Sequence, residues 1–336
     1  MKAFRSPPRS QRGVALIIAL ILVALATILA TKLSFDGYLE RQRSIGVLAA
    51  EQAMQFGLGA EALAADVLSQ SSNQFTTLAD PWAQPTQSIP ITPSENPDGE
   101  PIGAMQGSLE DMEGRFNLNS LAYMTTPTQA TGAQTVPSQQ DPQPLLQFQR
   151  LLVAVGLEPK WAGIARDWID ADEAVGSPDG AEDSVYTSQT PPYRTGNYPM
   201  MSPSELMNMP GFGWDRYRKI APYVTALPTS KPAINICTAP APVLESLSEN
   251  FSGEFSNPEF LATGRQKGCF PDIDTLKKIA GSKDAADVTR VAVTASSFFR
   301  LTTRVTLGTS EFTLYSLLYR TGGNKVTPIL RSFGTP

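Results

Sequence analysis

Seven carboxylates, Asp167, Asp170, Asp172, Glu173, Asp179, Glu182 and Asp183, fall within seventeen residues, and Arg166 is the nearest cation. Side chains crowded in this way repel one another unless water or a cation separates them. Oxygen ligands in such number suit a hard cation such as calcium, which takes about six to eight. The spacing is not that of an EF-hand: counted from Asp170, the fifth loop position is Ala174, and the glycine is misplaced. On the residues alone, a calcium loop and a solvated acidic loop both remain open. Paired carboxylates can also hydrolyse glycosidic bonds, but no aromatic-lined cleft is legible and the acids share one loop. We therefore expect no enzyme and assign no catalytic residue. The chain has no histidine, which removes His-based catalysis and imidazole metal sites.

Two other groups could carry chemistry. Cys237 and Cys269 are the only cysteines. In an extracytoplasmic domain such a pair is usually a disulfide, here tying two helical pieces. The alternative is two unrelated buried thiols. Leu206 to Ile220, with Pro210-Gly211-Phe212-Gly213 between two helical pieces, is similar to a helix-hairpin-helix. Such a turn presents backbone N–H groups to a phosphate, and Arg216, Arg218 and Lys219 could assist. A membrane-anchored DNA-binding or uptake protein is thus the alternative function, and a purely structural hairpin is the plainer reading. The net charge of -5 argues against broad electrostatic capture of nucleic acid, and we expect none as a partner.

The elements that must position these groups begin with a membrane segment. Val14 to Thr31 is a run of eighteen residues without a charge, behind a leader carrying Lys2, Arg5, Arg9 and Arg12. At about 1.5 Å per residue this run rises roughly 27 Å, enough to cross a bilayer core. A processing-like signal precedes the run, at Gly13-Val14, whereas a secretory signal is cut after it. Cleavage there keeps the apolar segment, and loss of four leader cations takes the net charge from -5 to -9. The leader cations hold the N-terminus in the cytoplasm by the positive-inside rule, although Lys32, Arg41 and Arg43 weaken that signal.

Beyond Lys32 the text stays helical to about Ser69. Ile45, Ala49, Ala53, Phe56, Ala60, Leu63 and Val67 recur at the helical period, with Arg41, Arg43, Glu51, Glu61 and Asp66 on other faces. Residues 71 to 101 read as a polar loop with a short extended piece at Ile89 to Thr92. Ser108 to Leu118 reads as a strand or hairpin arm, and residues 125 to 144 as a second polar stretch. Short helices follow to about Asp287. Ser202-Pro203-Ser204-Glu205 forms a capping box, and Thr238 precedes Ala239-Pro240 in the same manner. Asp272 or Asp274 can cap a helix that Gly281 ends. Phe298 to Leu307, Phe312 to Arg320 and Lys325 to Arg331 read as an antiparallel meander with turns at Gly308-Thr309 and Gly322-Gly323-Asn324.

Five segments together resemble one family. They are the Gly13-Val14 start and Glu110-Asp111-Met112-Glu113-Gly114-Arg115-Phe116-Asn117-Leu118-Asn119; Asp167-Trp168-Ile169-Asp170-Ala171-Asp172 with Gly180-Ala181-Glu182-Asp183 and Pro192-Tyr193-Arg194; Ser204-Glu205-Leu206 through Pro210-Gly211; and Ile234-Asn235-Ile236-Cys237-Thr238-Ala239-Pro240. The chain is similar over nearly its whole length to the K subunits of type II secretion systems, which are minor pseudopilins. The resemblance implies an α+β, pilin-like fold: a long N-terminal transmembrane helix packed on a small antiparallel sheet, with a large all-helical domain inserted. The expected divisions are a leader at 1–13, the transmembrane part at 14–32 and the periplasmic helix at 33–70. A pilin-like domain follows at 71–122 and 292–336, with the insertion at 123–291.

The same resemblance implies a role at the tip of the periplasmic pseudopilus, in the inner membrane with the C-terminal domain in the periplasm. Implied partners are the I, J and H minor pseudopilins, the major pseudopilin, the prepilin peptidase, the inner-membrane assembly platform and the secreted proteins. It implies calcium in the acidic loop, on Asp170, Asp172, Glu182 and Asp183, and leaves Asp167 to cap or to pair with Arg166. Most pilins carry glutamate at the fifth mature position, where it neutralises a neighbour's N-terminal amine; here that position is Ile18. A subunit without it is expected to initiate or cap assembly, because an unpaired charge in the bilayer costs several kcal/mol.

Overall fold

The computed structural model describes residues 12–92, 99–124, 140–176, 179–266, 268–308 and 310–335. Leader residues 1–11, residues 125–139 of the second polar stretch and Thr309 lie outside the described residues. Helix α1 runs unbroken through Arg12–Gln70, 59 residues. It contains no proline, and Gly37 and Gly46 sit in open space where no packing would be disturbed. Within its apolar run the Thr27 and Thr31 hydroxyls donate to the carbonyls of Val23 and Thr27, so these polar groups are satisfied inside the helix.

After α1 come strands β1 (Ile89–Ile91), β2 (Gly103–Asp111) and β3 (Phe116–Asn117). A mainly helical stretch follows: α2 (Pro142–Ala154), α3 (Trp161–Ile169), α4 (Asp183–Tyr186), α5 (Gly213–Ile220), then short strands β4 (Val224–Thr225) and β5 (Ile234–Asn235), then α6 (Ala241–Glu245), α7 (Pro258–Arg265) and α8 (Ile273–Val291). Strands β6 (Ala292–Val293), β7 (Phe298–Leu307), β8 (Ser310–Arg320) and β9 (Val326–Phe333) close the chain. The main sheet is antiparallel in the order β1-β2-β7-β8-β9, so β2 and β7, far apart in sequence, are neighbours. The strand expected at Ser108 to Leu118 is two pieces, because the chain turns after Asp111 and β3 leaves the sheet to pair with β4.

Alternation along β7 and β8 aims Phe299, Leu301, Val305, Leu314 and Leu318 at α1. The buried face of α1 is Ala53, Gly57, Ala60, Glu61, Ala64 and Leu68, which corrects the expected stripe. Ala53 and Ala60 belong to both, but Ile45, Leu63 and Val67 are 53%, 54% and 38% exposed. The seam selects small residues: a Cβ on Gly57 would come within 3.3 Å of Leu314. Glu61, expected on an outer face, is buried because the sheet brings it partners. Arg331 of β9 reaches both carboxylate oxygens, at 2.7 and 2.9 Å, and Ser316 of β8 donates at 2.6 Å.

The helical stretch has its own core, which includes Phe148, Leu151, Trp161, Trp168, Phe212 and Phe251. A buried polar junction joins it to the sheet. Asp111, at the end of β2, accepts from the Asn235 amide and from the Thr238 and Ser296 hydroxyls. Arg320 donates to the Ser72 and Ser296 carbonyls and to the Thr76 hydroxyl. This explains a displaced helix start: Thr238 spends its hydroxyl on Asp111, and α6 begins at Ala241 behind Pro240. The capping box of Ser202 and Glu205 and the Asp272 cap form as expected. Gly281 adopts φ 73° and breaks α8, which resumes beyond it instead of ending there.

Candidate functional site

Helix α3 supplies the first part of the acidic cluster. Trp161, Ala165 and Trp168 bury one face of this short helix, and Asp167 is carried inside with them, 0% exposed. The following loop wraps onto that carboxylate. Gly176 N–H donates to Asp167 Oδ2 at 2.8 Å, and Gly180 N–H donates to the Gly176 carbonyl at 2.7 Å. Side chains cannot follow this path: a Cβ on Gly180 would lie 2.1 Å from Asp167 Oδ2. The loop then delivers Glu182, 3% exposed, to a point beside Asp167 and Asp170, where one oxygen from each carboxylate lies within 4.8 Å of the others.

The cluster is electrostatically incomplete. Among the described residues, Asp167 Oδ1, Asp170 Oδ1 and both oxygens of Glu182 are buried with no hydrogen-bond donor. Arg166, whose Nε stands 3.6 Å from Asp167 Oδ1, is the nearest cation. Burial, then the charges of Asp167 and Asp170, push Glu182 up to about 7. Burial, then Asp167 and Asp172, push Asp170 up to about 6, and burial also raises Asp167. Buried oxygens of this kind, lacking donors and crowded by like charge, fit a hard cation. The Tyr186 hydroxyl, fully buried and without a partner among the described residues, feels the charges of Asp167 and Glu182.

The grouping differs from the one the resemblance implied. Asp170 and Glu182 are in the cluster, and Asp167 joins them instead of only pairing with Arg166. Asp172 is exposed, its Oδ1 accepting from Ala174 N–H. Asp183 is engaged elsewhere: the backbone and hydroxyl of Thr195 donate to it at 3.0 Å each and Arg194 lies 3.2 Å away, contacts that lower its pKa. The signal for Asp167 was its place on the apolar face of α3; the signal for the loop was the glycine pair at 176 and 180. Tyr186 gave no signal.

The remaining groups fall as follows. Cys237 and Cys269 form a disulfide. The hairpin at Leu206 to Ile220 consists of a 3-10 segment, Pro203–Asn208, and α5, with Gly211 and Gly213 at φ 83° and 66°. Its Arg216 folds back on the Gly211 and Phe212 carbonyls and over the Trp161 ring, so that cation is committed within the chain. Gly13 and Val14 lie in the first turn of α1, and Ile18 is 52% exposed on its apolar run.

Comparison with known proteins returns one family. Residues 114–229 match the family described as type II secretion system (T2SS), protein K. The type II secretion system protein K of Pectobacterium carotovorum subsp. carotovorum is 31% identical over 338 residues, covering 96% of this chain and 97% of the relative. The protein of the same description from Pseudomonas aeruginosa is 30% identical, covering 97% and 94%. A chain of the crystal structure described as the GspK-GspI-GspJ complex of enterotoxigenic Escherichia coli matches with a TM-score of 0.71 and 25% identity. That match covers 88% of this chain and all of the other.

Proposed function

The chain belongs to the type II secretion system protein K family, and on that premise we propose that it is the minor pseudopilin at the tip of the secretion pseudopilus. The observation that carries this reading is the likeness, over 88% of this chain, to a chain solved within a GspK-GspI-GspJ complex. The I and J subunits are accordingly its nearest partners, and the H subunit and the major pseudopilin follow below. Prepilin peptidase cuts between Gly13 and Val14, and α1 then anchors the chain in the inner membrane with the rest in the periplasm. Ile18 leaves no carboxylate to neutralise a neighbour's amine inside the bilayer. The insertion, residues 123–291, is too bulky for a tightly wound shaft. The chain therefore starts or caps the filament and helps move folded proteins through the outer-membrane secretin. Gold labelling of the periplasmic part on sheared pseudopili tests this: label at one end is expected, and label spread along the shafts refutes the tip position.

We infer further that Asp167, Asp170 and Glu182 hold calcium, with Asp172 near enough in sequence to add an exposed ligand. The support is the set of buried carboxylate oxygens that have no donor among the described residues. Calcium bound there would supply positive charge that neutralises the carboxylates. The chain's own residues then do the positioning: Asp167 anchors Gly176, and Gly180 lets the loop close on α3.

A further inference from the structure

Arg265 touches both cysteine segments from outside the disulfide. It lies at the end of α7 and is 8% exposed. Its Nη2 donates to the Ile236 carbonyl at 3.1 Å and to the Ala239 carbonyl at 2.5 Å, and its Nε donates to the Phe270 carbonyl at 3.0 Å. Ile236 immediately precedes Cys237, and Phe270 immediately follows Cys269. One planar guanidinium thus grips the flank of each half-cystine. Among the described residues it has carbonyl partners only, and burial lowers its pKa to about 10, so it stays charged at neutral pH.

The surroundings hold both segments without help from sulfur. Cys237 N–H donates to Asn235 Oδ1, and the Asn235 amide donates to the Thr76 carbonyl, Asp111 and Ser296. On the other side, Gly264 lets the Phe270 ring lie against α7, where a Cβ would meet ring atom Cδ1 at 2.3 Å. Charge-assisted bonds from a rigid fork are stronger and more directional than neutral ones.

We propose that Arg265 is the positioning residue for the Cys237–Cys269 disulfide, docking the two cysteine segments before the bond exists. Oxidation by a disulfide such as oxidised glutathione then runs in two steps. The partly exposed Cys269, as thiolate, attacks the oxidant, forms a mixed disulfide and releases one glutathione thiolate. Buried Cys237, having lost its proton, attacks the Cys269 sulfur and releases the second. Two cysteine thiols are oxidised, one glutathione disulfide is reduced, and two protons are released. The equilibrium of the second step depends on how closely the reduced chain holds the two sulfurs.

The test uses the full chain in detergent micelles, equilibrated in glutathione redox buffers, with free thiols alkylated and counted by mass spectrometry. The effective concentration of the thiol pair should fall at least about tenfold in Arg265→Gln. Arg265→Lys should fall between, because an ammonium lacks the fork. A second measurement separates positioning from general stability. Arg265→Gln should lower Tm more in a Cys237→Ser, Cys269→Ser background than in the oxidised chain, since the two links act in parallel. If Arg265→Gln does not fold, Arg265→Lys carries both comparisons. Equal effective concentrations, or equal Tm losses in the two backgrounds, overturn the proposal.

Discussion

At the residue scale, the fold repeatedly buries a carboxylate and then differs in what it offers as compensation. Glu61 receives Arg331 and Ser316; although burial pushes its pKa up, those hydrogen bonds hold it below the ordinary value. Asp111 receives neutral donors, and burial still leaves its pKa raised. The acidic cluster receives the least. This difference predicts which substitution matters for calcium. Wild-type Tm should rise with calcium and fall with chelator, by the equivalent of about 2.7 kcal/mol at one hundred times the dissociation constant. Asp167→Asn should lose most of that response and Asp183→Asn should keep it; the reverse order would remove the cluster as the site. Terbium provides a direct readout, because the Tyr186 ring, whose hydroxyl feels the charges of Asp167 and Glu182, can act as sensitiser, with the Trp168 ring 5.2 Å from it. Glu113 gives a pH signature of its own. Its carboxylate accepts from the Ser297 and Phe298 amides, yet burial pushes it from 4.5 up to about 7. The folded state then binds this proton more tightly than the unfolded state. Stability from this group is complete below about pH 4.5 and is lost as pH rises through 7. Tm of the wild type relative to Glu113→Gln should therefore decline between pH 5 and 7.5; a flat difference would show that Glu113 is solvated.

At the scale of elements, α1 has two working faces in its periplasmic half. Four of the six residues on the inner face are Gly or Ala, so the Leu314 side chain of the sheet reaches the helix at Gly57. Gly57→Leu should destabilise the chain by about 1–3 kcal/mol through overpacking against Leu314, seen as a lower unfolding midpoint. The flank bearing Ile45, Leu63 and Val67 is exposed, and we expect the helices of partner pseudopilins to pack on it. Leu63→Ala should leave the unfolding midpoint within about 0.5 kcal/mol of wild type. It should also reduce co-purification with the I and J subunits. Full co-purification would place the partner contact elsewhere on the helix.

At the scale of the whole molecule, the apolar run of α1 projects from the folded part without packing on it, as a membrane anchor requires. Sheet and helical stretch meet at Asp111, Asn235 and Arg320, so their junction is built from directional hydrogen bonds as well as apolar contact. Such a junction fixes orientation, which suits a subunit presenting its bulk at a filament end. Processing belongs to this scale because it decides whether α1 starts a mature chain. Sequencing of protein extracted from membranes should find Val14 at the N-terminus. A chain retaining Met1, or beginning beyond Thr31, would contradict that cleavage.

The sequence by itself determined the elements whose signals are local. An uncharged run followed by helical periodicity gave α1, β-branched and aromatic runs between glycine turns gave β7 to β9, and the Ser202 and Asp272 caps marked two starts. Motif likeness gave the family, since each motif could be read where it stood. Tertiary structure alone decided the partners of charged groups, because those partners lie far away in the chain. Glu61 looked like a surface residue until Arg331, 270 residues later, was set beside it. Asp183 read as a calcium ligand and Asp167 as a cap or a partner of Arg166, until the loop closed Asp167 inside and left Asp183 to Thr195 and Arg194. Periodicity marks an apolar face, but only the sheet's position determines which part of that face is covered. For the same reason the stripe from Ile45 to Val67 was legible while the seam at Gly57, Glu61 and Ala64 was not.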